Sequence, residues 1–331
     1  MATVGTLSLT LADHAKRFND RKVQTVIELL NQKNDFMQHV LWREANQTTG
    51  HKTTIRSGLP SGTWRMLYQA VQPTKSTTVQ VTDTIGSLET YSQTDVSLAE
   101  LEANKKAFLM SEQVAFIEGL NQDMATALIY ANTDTDPEQI LGLTPRFNDP
   151  TAANGGQLID GGGAGSDNTS IWLVTMGDRT LHGLFPRGSK AGLTVTDKGQ
   201  VTDGTTATGY MELFRTHYKW NSGLSVRDWR YIVRACNIDV SDLTKAAASG
   251  ADLIDIMIRM LYIHESWNAP NTMFLLNKTI MSFLDRQTYN SSGMHLRYDK
   301  DVHGRPFMRF RGIPIYEAEA IIDTESTVTG F

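Results

Sequence analysis

Near the start of the chain, apolar residues recur at three- and four-residue steps: Val23, Val26, Ile27, Leu30, Met37, Val40 and Leu41. That period predicts an amphipathic helix from about Lys22 to Arg43, with one stripe that must be buried. Thr10-Leu-Ala-Asp13 gives an earlier helix start of the capping-box kind, broken at Asn19-Asp20. The character changes between Gln47 and Asp95, where Gly58-Leu-Pro-Ser-Gly62 and Gln72-Pro73 punctuate segments rich in Thr, Val and Tyr. Thr63–Val71 and Thr77–Ile85 read as strands there, and their threonines suit ribbons that are solvated or paired with another chain. Ser97 and Glu100 then form a capping box ahead of Leu101, Phe108, Leu109, Phe116, Ile117, Leu120, Met124, Ala127, Leu128 and Ala131 on one face. The helix predicted over 98–132 would be roughly 50 Å long at about 1.5 Å per residue. This exceeds the globular mean by far and suits the spine of an elongated molecule.

Pro137–Pro150 reads as a turn-rich connector, and Asn154–Ser170 as a glycine-loaded loop entering the apolar strand Ile171–Met176. Strand segments with the turn signals Asp197-Lys-Gly199 and Asp203-Gly204 predict a long hairpin over 183–234. Ser249-Gly-Ala-Asp252 opens a helix that is apolar nearly all round from Leu253 to Ile263, the mark of burial. Thr272–Leu276 reads as a core strand, Lys278–Tyr289 as a further helix, and Pro306–Ile315 as strands bent at Gly312 and Pro314. Helices interspersed with antiparallel-type strands place the chain in the α+β class.

Composition narrows the function. At 331 residues the chain can bury one large core or two ordinary ones. Its 31 basic and 36 acidic residues leave a formal charge of -5, which excludes a strongly basic nucleic-acid binder and leaves DNA contact weak and non-specific. The single cysteine, Cys236, cannot form an intramolecular disulfide and reads as a small buried hydrophobe in a protein that matures in reducing cytoplasm. No segment approaches the ~18 uninterrupted apolar residues of a membrane span, and the first residues lack a secretory pattern, so no membrane partner is expected.

Candidate chemistry thins out on inspection. Zinc patterns fail for want of a cysteine pair, and His264-Glu265-Ser-Trp-Asn268 lacks a second histidine one helical turn on. The glycine run over 161–166 has neither dinucleotide spacing nor a Gly-Lys-Ser/Thr ending, and it leads into a strand. Gly223-Leu-Ser225 invites a serine nucleophile with His217 and Asp228, but Arg227 stands where a nucleophile elbow wants glycine. The stretch alternates instead, with Val226, Asp228, Arg230, Ile232 and Arg234 on one face and Arg227, Trp229, Tyr231, Val233 and Ala235 on the other. On that reading Trp229, Tyr231 and Val233 pack a sheet, while Asp228, Arg230 and Arg234 point outward or across to a partner. Arg297, Arg305, Arg309 and Arg311 interleave with Tyr298, Phe307 and Phe310, yet Asp299, Asp301, Glu317 and Glu319 lie close by. Charge-paired strands explain this cluster best, an arginine-bearing subunit interface next, and nucleic acid last. No catalytic residue, cofactor site or metal-ligand set emerges. The candidate functional residues are inter-subunit contacts: Arg65, Tyr68, Asp228, Arg230, Arg234, Arg309 and Arg311.

Taken in order, several parts form a recognisable series: the amphipathic N-terminal helix, the ribbon region 47–95, LAELEANKKAFLMSEQVAFIEGLNQDMATALIYAN, EQILGLTPRFND, KWNSGLSVRDWRYIVRACNID and FMRFRGIPIYEAEAI. Together they resemble the major capsid proteins of tailed bacteriophages, podovirus-like ones above all. The resemblance spans nearly the whole chain and rests on order and pattern, with no short signature. It implies an N-terminal arm and helix (1–46), a strand-rich candidate for an extended two-stranded loop (47–96) and a peripheral-domain spine helix (97–139). It further implies an axial domain (140–290), whose hairpin at 183–234 is the alternative extended loop, and C-terminal strands (291–331) returning to the peripheral domain. In function it implies hexamers and pentamers of the chain itself, tiling an icosahedral shell around phage DNA in a virion assembled in the host cytoplasm. Portal and cement or decoration proteins are expected as partners. No long charged helical leader precedes Thr10, so any scaffold is expected to be a separate protein. Two alternatives stand beside this: an encapsulin-like nanocompartment shell enclosing cargo protein, and a hydrolase whose site is assembled by tertiary contact.

Overall fold

The computed structural model describes residues 18–19, 22–23, 31–101, 104–205, 209–245, 250–290, 296–300 and 306–331. Its strands are β1 (Phe18–Asn19), β2 (Lys22–Val23), β3 (Trp42–Glu44), β4 (Gly50–Gly58), β5 (Thr77–Asp95), β6 (Leu158–Asp160), β7 (Asn168–Thr175) and β8 (Leu181–Phe185). They continue with β9 (Thr194–Thr205), β10 (Gly209–Val226), β11 (Ile232–Asp239), β12 (Thr272–Leu276), β13 (Leu296–Lys300), β14 (Pro306–Phe310) and β15 (Ile313–Glu317). The α-helices are α1 (Val96–Glu100), α2 (Lys105–Tyr130), α3 (Leu143–Arg146), α4 (Leu253–Ile263) and α5 (Lys278–Asn290). The helix start expected at Thr10–Asp13 lies outside the described residues.

One sheet runs β3-β8-β10-β5-β4 with β9 also paired to β10; the other runs β13-β14-β15-β12-β7-β11-β6. The second sheet explains why Ile171–Met176 and Thr272–Leu276 read as continuous apolar runs: it is covered on both faces, so both sets of alternating side chains are buried. Trp172, Val174, Ile232, Met273 and Leu275 face one core with Met124, Leu128 and Ile129 of α2. Their neighbours Ile171, Leu173, Val233, Ala235, Phe274 and Leu276 face a second core with Leu253, Met257 and Met260 of α4 and Ile280 and Leu284 of α5. Strands β13–β15 join this sheet through β12, and from Ala318 onward the chain packs back against the α2 side. The hairpin turn between β14 and β15 places Arg311 and Gly312 at φ 48° and 91°, the left-handed pair that a tight two-residue turn requires.

The long helix forms in two pieces. Asp95 caps α1 by accepting from the Ser97 N–H at 2.8 Å, so Ser97 lies inside the first turn and does not cap it. Asn104 caps α2 by accepting from the Ala107 N–H at 3.2 Å. Along the 26 residues of α2, about 39 Å at the usual rise, burial concentrates at Phe108, Leu120, Met124, Ala125, Leu128 and Ile129.

Three local expectations are corrected. The helix expected over 22–43 is absent among the described residues: Lys22–Val23 pairs with Phe18–Asn19, Asp35–His39 is a single 3-10 stretch, and Trp42–Glu44 is strand β3. Phe36 and Val40 still reach the core, but along a chain whose Asn34 side chain accepts from the Ala320 N–H and whose Trp42–Glu44 pairs parallel with β8. Tertiary pairing overrides the helical period there. The strand expected over 63–71 is irregular backbone within the exposed loop 59–76. The alternation expected over 226–235 breaks because β10 ends at Val226, Trp229–Tyr231 forms a 3-10 turn capped by Asp228, and β11 restarts at Ile232. The turn leaves Trp229 37% exposed, while Arg234, expected to point outward, is 1% exposed because it shares the face of Ile232 on a strand buried on both faces.

Arg234 is bonded throughout its guanidinium. Nε donates to Ser170 Oγ at 3.0 Å, Nη1 to the Phe147 carbonyl at 2.7 Å and Nη2 to Glu325 Oε2 at 2.9 Å, with the Trp172 ring 5.3 Å away. Glu325 also accepts from Ser170 and, at 2.5 Å, from Tyr130 Oη at the end of α2, whose own ionisation is pushed up by burial and by that carboxylate. The C-terminal segment, α2 and the second sheet are therefore joined through one buried ion pair. Replacing one partner alone strands the other charge. Arg234→Met is expected to lower unfolding stability by about 3–5 kcal/mol, with Arg234→Met/Glu325→Met regaining a large part of the loss in urea denaturation.

Candidate assembly surface

The sequence of β5 is too long for one partner. Its first part pairs antiparallel with β4, from Gly50↔Thr84 to Gly58↔Thr77, and its second part pairs with β10, from Gly223↔Ile85 to Leu213↔Asp95. The β4–β5 ribbon thus projects from the body at the point where β10 leaves it. Beyond the last pair, the loop 59–76 is held by contacts within itself. Thr74 Oγ1 donates to the Ser61 carbonyl at 3.1 Å, Arg65 to the Gln69 carbonyl at 3.3 Å, and the Met66 and Gln69 backbones bond each other's residues.

Its large side chains have no such cover. Leu59 is 79% exposed, Trp64 101%, Met66 75%, Leu67 85% and Tyr68 103%. Tyr68 is also held at φ 67°, a left-handed conformation that a bulky residue adopts only at a cost. Arg65 and Lys75 are the charged residues of this loop, so it presents an apolar patch with a positive edge. Grouped exposure of this kind marks an interaction site, in contrast to single exposed apolar residues. The β9–β10 hairpin, the other candidate ribbon, shares β10 with β5 and exposes Val195, Tyr210 and Met211 less completely, at 50%, 68% and 52%.

At the root of the β4–β5 ribbon the chemistry reverses, from exposed apolar to buried polar. Asp83, 3% exposed, accepts from Arg146 Nη2 and from Ser225 Oγ, each at 2.8 Å. Arg146 also donates to the carbonyls of Leu141 and Leu224. Opposite Asp83 on β4, His51 receives the Asn46 N–H at Nδ1 (3.1 Å) and Arg227 Nη2 at Nε2 (2.7 Å). Asp83, Arg146 and His51 escaped the sequence analysis because a lone acid in a threonine-rich strand and an arginine in a connector carry no spacing signal. Pairing of β5 with β4 sets His51 opposite Asp83, and pairing with β10 brings Leu224 and Ser225 to Arg146 and Asp83.

The serine reading fails on the same geometry. Ser225 is fully buried and its hydroxyl is spent on Asp83. His217 bonds Glu89 at 2.9 Å and stacks on Tyr91, while Asp228 bonds Arg230. Lys219, Ser87 and His217, in that order, hold the Glu89 carboxyl down to about 2. Among the described residues no group of His, Cys, Asp and Glu could hold a metal, and no helix is long and apolar enough to cross a membrane.

The residues proposed as contacts fall into separate places. Arg65 and Tyr68 lie together on the ribbon loop. Asp228 and Arg230 pair with each other at 2.7 Å, and Arg230 also meets Glu265 at 3.3 Å. Arg309 faces Asp299 at 3.2 Å across β13 and β14, and Arg311 is exposed on the adjoining turn. Arg234 is removed from the set by its burial, which leaves it no surface for a neighbour.

A search of curated protein sequences returns no match. A family model described as "Major capsid protein GP7" matches residues 19–329. The chain belongs to this family of phage major capsid proteins. Among solved structures it is similar to the bacteriophage Epsilon15 structure, at 34% identity over 100% of both chains with a TM-score of 0.79. The bacteriophage JBD30 capsid shares the fold at 8% identity, with 88% of this chain and 92% of that chain covered and a TM-score of 0.50. An encapsulin from Synechococcus elongatus matches 70% of this chain and 96% of its own at 11% identity and a TM-score of 0.47. As a major capsid protein the chain forms the icosahedral shell of a phage virion, and the tailed-phage capsid fold expected from its sequence is the fold it has. In this capsid protein the ribbon root is a stability element: Asp83→Ala leaves the Arg146 charge buried without compensation. The expected cost is about 3–5 kcal/mol in urea denaturation, with hydrogen exchange accelerating in 50–58 and 77–84 before it does in 171–175.

Proposed function

We propose that the chain builds its shell as rings of five and six copies, and that the β4–β5 ribbon, in preference to the β9–β10 hairpin, is the extended arm whose loop a neighbouring copy covers. The observation that carries this reading is the near-complete exposure of Trp64, Leu67 and Tyr68 at the end of a ribbon that is marginal by itself. Burying each such side chain contributes about 1.5–3 kcal/mol, enough for a few residues to decide association. An arm that reaches from one copy to a different patch on the next makes a heterologous contact, and such contacts close into rings. The exposed side chains Arg230 and Arg311 supply secondary polar contacts, and the net charge of -5 keeps contact with packaged DNA weak. The chain acts as structural material with no catalytic step of its own, a reading supported by the burial and bonding of Ser225.

The test is Trp64→Ser/Tyr68→Ser, compared with the wild type by analytical ultracentrifugation and negative-stain imaging. The variant is expected to keep its thermal unfolding midpoint as a single chain while losing rings and shells. Assembly of the variant at wild-type concentration and yield would refute the assignment.

A further inference from the structure

Behind the ribbon root lie two buried histidines that the assembly reading does not use. His51, 7% exposed, has donors at both ring nitrogens, the Asn46 N–H and Arg227 Nη2. A neutral imidazole carries one proton, so one of these contacts already sets donor against donor, and a second proton would make both contacts mismatched. His182 on β8 is 1% exposed and stands edge-on to His51 with ring centres 6.1 Å apart. Its Nδ1 is buried with no hydrogen-bond partner among the described residues. A proton added at Nδ1 would therefore have no acceptor.

The surrounding charges offer no rescue. On β4 the neighbour is Lys52, and on β5 it is Asp83, whose two oxygens are taken by Arg146 and Ser225. The turn before β8 supplies Arg179 and an Asp178 that is paired with Arg43 of β3. The end of β10 supplies Arg227 and an Asp228 that is paired with Arg230. Lys52, Arg179, Arg227 and Asp228 line an open cavity of about 450 Å³ beside the cluster.

We propose that His51, His182 and Arg227 form an acid-sensitive lock on the β4–β5 ribbon, closed while both imidazoles are neutral and opened when they take up protons. The lock ties β4, β8 and the end of β10, so opening it frees the direction of the ribbon without disturbing the second sheet. Desolvation first, and the Arg227 charge second, depress both histidines, His182 to about 4. Between the ordinary histidine value of 6.5 and that depressed range the open root binds more protons than the closed one. Closure is thus complete above about pH 6.5 and weakens as pH falls toward 4.

The lock belongs to the single chain, so it is measured on unassembled protein and its failure is separate from failure of the assembly reading. Hydrogen exchange, corrected for intrinsic rates, is followed at pH 7 and pH 4.5, with 171–175 as internal reference. Wild-type exchange in 50–58 and 77–84 is expected to rise relative to the reference by about tenfold or more, the factor that one pKa unit of differential protonation supplies. His51→Gln/His182→Phe should abolish the rise. Arg227→Gln, which leaves both histidines in place, should shrink it and serves as the deciding variant if the double replacement does not fold. A flat wild-type profile, or an undiminished rise in either folded variant, would overturn the proposal.

Discussion

The rest of the molecule depends on how one strand divides its hydrogen bonds. β5 gives its first half to β4 and its second half to β10, and a strand's backbone groups must be paired wherever they are withdrawn from water. The second half therefore belongs to the body of the protein, under α2, and the first half becomes the stem of a projecting ribbon. A single continuous strand connects the α2 side of the body to the loop where Trp64 and Tyr68 are displayed. The proposed assembly role uses that combination: a bonded centre, and a ribbon whose exposed apolar side chains await a partner.

Two buried polar clusters hold the division in place. Asp83, Arg146 and Ser225 fasten the ribbon where it leaves the sheet, and Arg234, Glu325, Ser170 and Tyr130 fasten the second sheet to the end of α2 and to the C-terminal segment. Apolar packing alone would tolerate sliding of these layers, because it is non-directional. Directional, fully bonded ion pairs at the two junctions instead select one arrangement, at the expense of desolvating the charges. The ribbon junction contains two histidines that the other lacks, so it is the one proposed to weaken between neutral pH and pH 4.

Some elements could be read directly from the residues because local pattern and tertiary environment agree. Leu253–Ile263 is apolar round most of its circumference and is buried between β-sheet and α5. Thr272–Leu276 is uninterrupted because both faces of its sheet are covered, and the turn at Arg311-Gly312 lies where glycine allowed it. Other elements misled for equally physical reasons. Of the stripe read from Val23 to Leu41, Val40 reaches the core and Met37 packs against it without a helix, because β8 offers Trp42–Glu44 a strand partner. Strand β11 keeps its alternation, but both of its faces are covered, so the Arg234 side expected at the surface is core as well.

The sequence by itself determined the α+β class, the long helix and the apolar strands, and through the order of those parts it determined the capsid family. These depend on periodicity and composition, which are local or additive along the chain. Only the tertiary structure decided which acid meets which base, that Ser225 is a buried donor and no nucleophile, and that His51 and His182 share a site with Arg227. Those outcomes join residues from 63 to 176 positions apart, and strand register, which no local pattern encodes, sets whether they touch.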